Sequence, residues 1–250
     1  MKASITRYRI ISIASVASML LLWKITALWF NSSLIVPHPE DAIFKALALI
    51  TDSDFLKIAG STVLRGVSGF LISFVFGLVI GIFAGLSAGF NAYMTPILVT
   101  VRSVPVISLI LLALIWFNSG SVPVFIAILT MFPFICTNVA EGVKSVDPNL
   151  ITMAKFYRTN RSKIVSELYI PAIMPFIISG VSSSMGIGWR AIIIGEVLSQ
   201  PRFGIGTKMQ AAQIFLNVDA VIAWTLIAVL ISFGFEKIIR HAESQIIKWR

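Results

Sequence analysis

Few residues in this sequence could carry chemistry, and their types and spacing do not form a catalytic site. An enzyme working inside a membrane would need paired carboxylates, a serine with a histidine, or metal ligands at one depth. His38 and His241 lie outside the apolar runs, and the single Cys136 is interpreted as a small core residue. No GxxxxGK[ST] motif occurs. We therefore expect no catalytic residue, no metal and no cofactor in this chain.

The chemistry that the sequence does offer is charge, concentrated in one polar interruption at residues 144–171, KSVDPNLITMAKFYRTNRSKIVSELYIP. Five cations lie in it: Lys144, Lys155, Arg158, Arg161 and Lys163. Runs apolar enough to enter a bilayer flank it on both sides, whereas a loop that only links two spans can be as short as residues 118–121. This segment therefore needs an explanation beyond connection.

The first part of this segment has the signals of a short helix. Asp147 followed by Pro148 predicts the helix start, because an N-cap acceptor precedes a residue preset for the first turn. Thr159 and Asn160 can cap a second short helix. The first helix would place Phe156 and Tyr157 beside cations, and leaving both rings in water would be unfavourable. We predict that it inserts into a groove on another protein; a helix lying on the membrane surface is the alternative.

The elements that must position these residues are transmembrane helices. The chain is 57% apolar and 12% charged, with a mean hydropathy of +0.92, and its apolar residues come in runs of membrane-spanning length. These features predict an all-α membrane protein with about six spans in a single transmembrane domain over residues 1–250. The expected spans are Ile10 to Phe30, Val67 to Leu86, Thr95 to Phe117, Val122 to Val143, Ala172 to Leu198 and Ala220 to Ile239.

The net charge of +9 is explained by membrane topology rather than by nucleic acid, because the cations lie in loops and no basic, aromatic-interleaved module occurs. With both termini inside, twelve Lys and Arg residues fall on the side of the polar segment and four on the other. This bias predicts that residues 144–171 and both termini are cytoplasmic. The basic tail, residues 237–250, is expected to lie on the inner leaflet.

Two spans carry polar residues that could face a translocation path. The third is expected to open at Pro96 and is interrupted at Pro105, just after Arg102 and Ser103, and Pro133 stands within the fourth. An interior proline removes a backbone hydrogen bond, so both helices are predicted to be kinked, with the freed carbonyls packed or lining a wet cavity. Arg102 is either a snorkelling residue or a pathway residue.

The fifth span is rich in small polar residues before Trp189 and Arg190 and ends near Glu196. This composition argues for a face toward a partner helix or a translocation path. Arg190 and Glu196 are six residues apart, which is out of phase for an intrahelical ion pair. For either residue, an anchor at the membrane interface is the alternative to a substrate contact.

In the second span, glycine recurs every four residues, at Gly77, Gly81, Gly85 and Gly89. This spacing places them on one helix face and allows close approach of another backbone. We expect packing within one subunit, with a dimer interface as the alternative.

The sequence resembles the permease subunits of bacterial ABC importers, whose cytoplasmic loop is known as the EAA motif. The resemblance covers nearly the whole chain and rests on shared residues at matching spacings: Asn138, Gly142, Asp147, Pro148, Ala154, Pro171, Pro175 and Gly180. Longer stretches resemble the subgroup that takes up nitrate, sulfonates, taurine and related compounds such as vitamin precursors: SGFLISFVFGLVIGIFAGLSAG, VRSVPVISLILLALIWF, GIGWRAIIIGEVL, FGIGTKM and Trp249 near the end.

The resemblance implies a five-helix core of the type I importer kind in the bacterial inner membrane. It also implies two permease copies, two cytoplasmic ATPases and an external substrate-binding protein. The loop would be a coupling helix that contacts the ATPase through Asp147, Pro148, Ala154, Phe156, Tyr157, Arg158 and Arg161. The chain would then translocate a small anion-like solute without being an enzyme itself. Arg102, Ser103, Trp189, Arg190 and Glu196 are the candidates for its path.

The loop departs from the family pattern at three positions. Thr152 and Met153 replace the usual Glu and Ala, and Arg158 replaces the usual Gly. A left-handed conformation would be costly for Arg158, so Asn160 is expected to take over the turn.

An ATP-independent secondary transporter or channel is the alternative function. Such proteins normally show an internal repeat or acidic residues at mid-membrane depth, and the sequence shows neither. Transport that survives loss of a partner ATPase would favour it.

Overall fold

The computed structural model describes the backbone of residues 2–246 and the side chains of residues 10–245. Within that part of the chain the regular structure is helical, without a strand. Trp249 and the end of the tail expected on the inner leaflet lie outside the described residues.

Five helices in the described residues are long and apolar enough to cross a membrane, which confirms a multi-pass, all-α membrane protein. They are α1 (Lys2–Phe30), α3 (Phe55–Leu86), α6 (Val122–Lys144), α9 (Ile170–Ser199) and α11 (Val218–Ile246). Shorter helices complete the order: α2 (Pro39–Ile50), α4 (Ala88–Ser103), α5 (Val106–Trp116), α7 (Pro148–Phe156), α8 (Arg161–Ile164) and α10 (Ile205–Ile214). A π-helical turn, Val165–Tyr169, joins α8 to α9.

The third predicted span is a sharply broken pair. Helices α4 and α5 meet at 94°, and counting them as one crossing gives six spans. Val104 is extended, as expected of a residue before a proline, and Pro105 caps α5. The expectation that the span opens at Pro96 was wrong. Helix α4 begins at Ala88 because Ser87 caps it, accepting a hydrogen bond from the Phe90 N–H (3.3 Å), and Pro96 lies inside α4.

The chain forms two compact units. The smaller contains residues up to Leu56 together with Lys208–Val229. In it Trp23 Nε1 donates to the Pro37 carbonyl (3.1 Å), and Lys24 forms an ion pair with Glu40. The Lys24 ammonium holds the pKa of the Glu40 carboxyl below its usual range.

The larger unit contains Lys57–Thr207 together with the residues from Leu230 onward, and its centre is the α6–α9 pair. Glycines on α9 allow that approach, because a Cβ at Gly180 would lie 2.9 Å from the Asn138 Cβ and one at Gly195 3.0 Å from the Pro123 Cα. Helix α6 continues through Pro133 from Val122 to Lys144.

The glycines of α3 pack against α6, which confirms the expected packing within one chain. A Cβ at Gly77 would lie 2.8 Å from the Ile135 Cγ2, and one at Gly81 would lie 2.7 Å from the Cys136 carbonyl oxygen. A Cβ at Gly85 would likewise collide with the Val143 side chain. The inclusion of Gly89 in this face was wrong, because α3 ends at Leu86 and Gly89 belongs to α4, where no atom lies within 4 Å of its added Cβ.

Candidate functional site

The polar segment between α6 and α9 begins with the predicted helix. Asp147 is the N-cap of α7 and accepts a hydrogen bond from the Asn149 N–H (2.8 Å), and Pro148 occupies the first turn. The start inferred from these two residues is confirmed. The cap satisfies one of the N–H groups that a helix leaves without a partner at its start.

Helix α7 presents aromatic rings to its surroundings. None of its residues is buried, and Phe156 is 83% exposed while Tyr157, directly after the helix, is 73% exposed. The two rings contact each other edge to face, with centroids 5.7 Å apart. Aromatic rings usually bury their surface, so this exposed pair is typical of an interaction surface.

The turn after α7 is formed by Arg158, and the expectation that Asn160 takes it over was wrong. Arg158 has a φ of 52°, its N–H donates to the Lys155 carbonyl (3.0 Å), and the Thr159 N–H donates to the Ala154 carbonyl (3.0 Å). This is the Schellman pattern, which needs its left-handed residue directly after the helix cap. Asn160 stands two positions too late and instead caps α8, accepting from the Ser162 N–H (3.1 Å).

Arg158 therefore keeps a conformation that an arginine adopts at a cost of about 1–2 kcal/mol. Arg161, in the first turn of α8, is exposed, and Ala154 is half-buried. Helix α8 continues through the π-helical turn into α9, so α8 and the membrane-spanning helix α9 form one continuous helical rod. Single π-helical turns inside α-helices are frequent at functional sites.

The predicted path residues do not form one cluster. Arg102 is exposed, with its guanidinium 4.6 Å from the centroid of the Phe134 ring, and Ser103 donates locally to the Val99 carbonyl (2.8 Å). Trp189 is buried against Phe235, with ring centroids 5.4 Å apart.

One face of α9 remains exposed and polar, and it includes Arg190. The exposed residues on the same side include Ser179, Ser182, Ser183 and Gly186. Helix α9 thus carries Trp189 and Arg190 on different sides, one packed and one available for contact.

Glu196 is the centre of a buried ion pair that sequence reasoning missed. Its carboxylate is fully buried and accepts hydrogen bonds from Arg65 Nη1 (2.5 Å), Thr62 Oγ1 (3.0 Å) and the Gly206 N–H (3.0 Å). Arg65 also donates to the Phe203 carbonyl (2.8 Å). Hydrogen bonds therefore join α3 and the end of α9 to Phe203, before α10, and to Gly206 in the first turn of α10.

Membrane topology could have indicated this pair. Arg65 stands just before the second predicted span and Glu196 at the end of the fifth, so both fall at the same membrane side in an alternating arrangement. Close packing supports the pair, because a Cβ at Gly204 would lie 2.7 Å from the Glu196 Cδ and one at Gly206 2.7 Å from the Glu196 Cβ. Arg65 donates to Oε1 of the Glu196 carboxylate, and Thr62 and the Gly206 N–H donate to Oε2, so both oxygens have partners.

Comparison with known proteins places these features in a family. Residues 77–248 match the family described as "Binding-protein-dependent transport system inner membrane component". The chain is 27% identical to a putative ABC transporter permease protein of Methanocaldococcus jannaschii, over 98% of this chain and 94% of the relative. It is 26% identical to the taurine transport system permease protein of Escherichia coli, over 98% and 91%. It is 27% identical to a putative aliphatic sulfonates transport permease protein of Bacillus subtilis, over 94% and 85%.

Proposed function

Since this chain belongs to the family of binding-protein-dependent inner membrane components, the ABC transporter permeases, we propose that it is the membrane subunit of an importer powered by a separate ATPase. The observation that carries the proposal is the pair of exposed rings, Phe156 and Tyr157, on a short capped helix joined to α9. Such a helix fits the groove of another protein and can pass that protein's movement into the membrane.

The force would enter at α7 and travel along α9. ATP binding closes the partner ATPases, α7 moves with them, and α8 and the π-helical turn transmit the movement to α9. Helix α9 is packed along α6 through Gly180 and Gly195, so the two helices are expected to move as a unit. Alternation between outward and inward openings then follows from rigid-body movement of the spans.

We propose a second permease copy and an external substrate-binding protein as further partners. The family description supports the binding protein. The exposed polar face of α9 supports a second copy, because serines and an arginine would be poorly placed against lipid. Two copies facing each other along α9 would place Arg190 and the serines beside a shared path.

For the substrate, we propose a small organic or inorganic anion. The relatives named for taurine and aliphatic sulfonates, together with a bicarbonate transport system permease protein of Synechococcus elongatus (29% identical over 58% of this chain and 53% of the relative), support this class. Nitrate and vitamin precursors remain within the proposal. The exposed cations Arg102 and Arg190 agree with an anion in the path.

We further propose that α7 and both termini face the cytoplasm of a bacterial cell. The surplus of Lys and Arg on that side supports this orientation. In it, the buried Arg65–Glu196 pair lies at the external ends of α3 and α9.

The test is association with the ATPase encoded beside this chain, followed by ATP-dependent uptake in proteoliposomes. Replacing Phe156 and Tyr157 by alanine should reduce ATPase association by about thirtyfold or more, because a single buried aromatic anchor of an interface contributes about 2 kcal/mol or more. Phe215, equally exposed at 83%, provides the control, and Phe215→Ala should leave association unchanged. Full association of the double alanine variant would contradict the proposal, and uptake without any ATPase would favour a secondary transporter.

A further inference from the structure

Arg102 occupies the point where two cavities beside α6 meet. One cavity, of about 240 Å³, extends from Arg102 toward Lys144 and is lined by Thr95, Thr137 and Glu141 among others. The other, of about 280 Å³, is lined by Phe134, Leu129 and Thr130 among others. Arg102 contributes to the walls of both.

The Arg102 guanidinium has no acidic partner in the part of the chain that the structure describes. It forms none of the ion pairs there, and its contact is the face of the Phe134 ring, at 4.6 Å from the centroid. A cation–π contact with the ring uses none of the five N–H donors of the guanidinium, and Arg102 lines both cavities. A cation held in this way is preorganised for an oxyanion.

The position of Arg102 within the membrane span makes its lack of an acidic partner significant. Phe134 lies about 18 Å along α6 from Val122 and about 15 Å from Lys144, at a rise of about 1.5 Å per residue. Arg102 is therefore held near the middle of the span and not at an interface. An unpaired cation at that depth is unfavourable unless it faces a water-filled cavity or pairs with an anion.

The two other charged residues that line the 240 Å³ cavity, Glu141 and Lys144, do not neutralise Arg102. Glu141 and Lys144 are three residues apart on α6, so they lie on one helix face and offset each other's charge. The cavity thus keeps one net positive charge, located at Arg102. Its volume is below the roughly 300 Å³ typical of sites for drug-sized ligands, so the matching ligand is small.

From these observations we propose that Arg102, stacked on Phe134 between the two cavities, is an intramembrane binding group for one small oxyanion. The shared chemistry is a singly charged oxyanion, which the transported solute or the phosphodiester of a lipid headgroup could supply. Because Arg102 lines both cavities, an oxyanion bound to its guanidinium would border both. The identity of the natural ligand as transported solute rests on the proposed function, whereas the site itself does not.

The test measures binding of methanesulfonate to the full-length chain, purified with its associated subunits and inserted in phosphatidylcholine nanodiscs. Saturation transfer to the methyl group of methanesulfonate reports weak binding, and dimethyl sulfone is the uncharged probe of the same shape. Methanesulfonate should bind and dimethyl sulfone should not. Arg102→Gln should weaken methanesulfonate binding about tenfold or more, since a charge-assisted hydrogen bond is lost. Arg102→Lys should keep part of the binding, because a lysine retains the charge without the planar fork.

Arg202 provides a matched control because its guanidinium also stacks on a ring, 5.2 Å from the Phe203 centroid, in the segment outside the spans. Arg202→Gln should leave methanesulfonate binding unchanged. A second set of nanodiscs contains phosphatidylglycerol, and native mass spectrometry counts the lipids that each variant retains. The site is assigned to a lipid headgroup if phosphatidylglycerol abolishes the methanesulfonate signal and if Arg102→Gln retains fewer phosphatidylglycerol molecules than the unmodified chain. A signal that phosphatidylglycerol does not reduce assigns it to a free solute.

The proposal is overturned if Arg102→Gln binds methanesulfonate as the unmodified chain does, or if dimethyl sulfone binds equally well. Absence of both methanesulfonate binding and retained phosphatidylglycerol in the unmodified chain also overturns it. If Arg102→Gln does not fold, the selectivity of Arg102→Lys for methanesulfonate over dimethyl sulfone decides in its place. Binding is measured without ATP, so failure of ATPase coupling would leave this result intact.

Discussion

Replacement of Glu196 by glutamine tests the buried pair at the end of α9. In the native arrangement Oε1 accepts from Arg65, and Oε2 accepts from Thr62 and the Gly206 N–H. Glutamine keeps the shape but has one acceptor oxygen and an amide group that only donates. In one orientation the amide faces the Arg65 guanidinium, and in the other it faces the Gly206 N–H. Neither orientation satisfies all of the donors.

The expected loss of stability is about 3 kcal/mol. Breaking a buried ion pair by removing one partner costs about 3–5 kcal/mol, because the remaining charge is left without compensation. Glu196 is fully buried and the Arg65 side chain is 15% exposed, so the pair belongs in that range. The lower end applies because Arg65 keeps the carbonyls of Phe203 (2.8 Å) and Gly120 (3.3 Å) as acceptors.

Denaturant unfolding in detergent micelles measures this loss, and hydrogen exchange at the Gly206 amide locates it. Glu236→Gln is the control, because Glu236 pairs with Arg240 where both side chains are more than half exposed, and it should cost no more than about 1 kcal/mol. A double-mutant cycle with Arg65→Met isolates the coupling between Glu196 and Arg65. Equal losses for Glu196→Gln and Glu236→Gln, or a coupling free energy near zero, would refute the reasoning.

Two further predictions concern the turn after α7 and the α3–α6 contact. Arg158→Gly should stabilise that turn by about 1 kcal/mol and bind the ATPase more tightly than Arg158→Ala, because both variants lack the arginine but only glycine adopts the left-handed conformation without strain. ATPase binding isotherms of the two variants check this, and equal effects would assign the change to the lost charge instead. Gly81→Val should lower the free energy of unfolding by about 3 kcal/mol, because its side chain would meet the Cys136 carbonyl. Gly60→Val, where the added Cβ has open space, should not, and similar unfolding midpoints for both would contradict this packing.

The spans could be predicted from the sequence because the bilayer imposes a length and a polarity that hydropathy records directly. Pro105 also indicated the break in the third span. Its angle of 94° could not be predicted, since a proline fixes where a helix ends but the direction of the next helix depends on its packing. Helix α5 packs on α6 and α9 through Ile110 and Ala113, which join a buried cluster with residues distant in sequence.

In the candidate site, too, features that depend on neighbouring residues could be predicted, and contacts between residues far apart in sequence could not. Asp147 and Pro148 were identified correctly because a cap and its helix are neighbours in sequence. The pair of Arg65 and Glu196 was missed because the residues stand 131 positions apart, and the expectation for each considered only its own helix. The turn at Arg158 was wrong for another reason, since conformational preference favoured Asn160 but the hydrogen-bond pattern fixed the position.

Helical periodicity would have divided the small residues of α9 into packing positions and exposed positions. Composition alone suggested a single face toward a partner helix or a path. At about 100° per residue, Gly180, Gly188 and Gly195 fall within a sector of roughly 80°. The exposed Ser179, Ser182, Ser183, Gly186 and Arg190 fall within another of roughly 100°, nearly opposite. The glycines contact α6, where a Cβ has no room, so close packing and exposed polarity belong to different sides of one helix. Phase within the helix, rather than the count of small residues, therefore separates packing positions from candidate path positions.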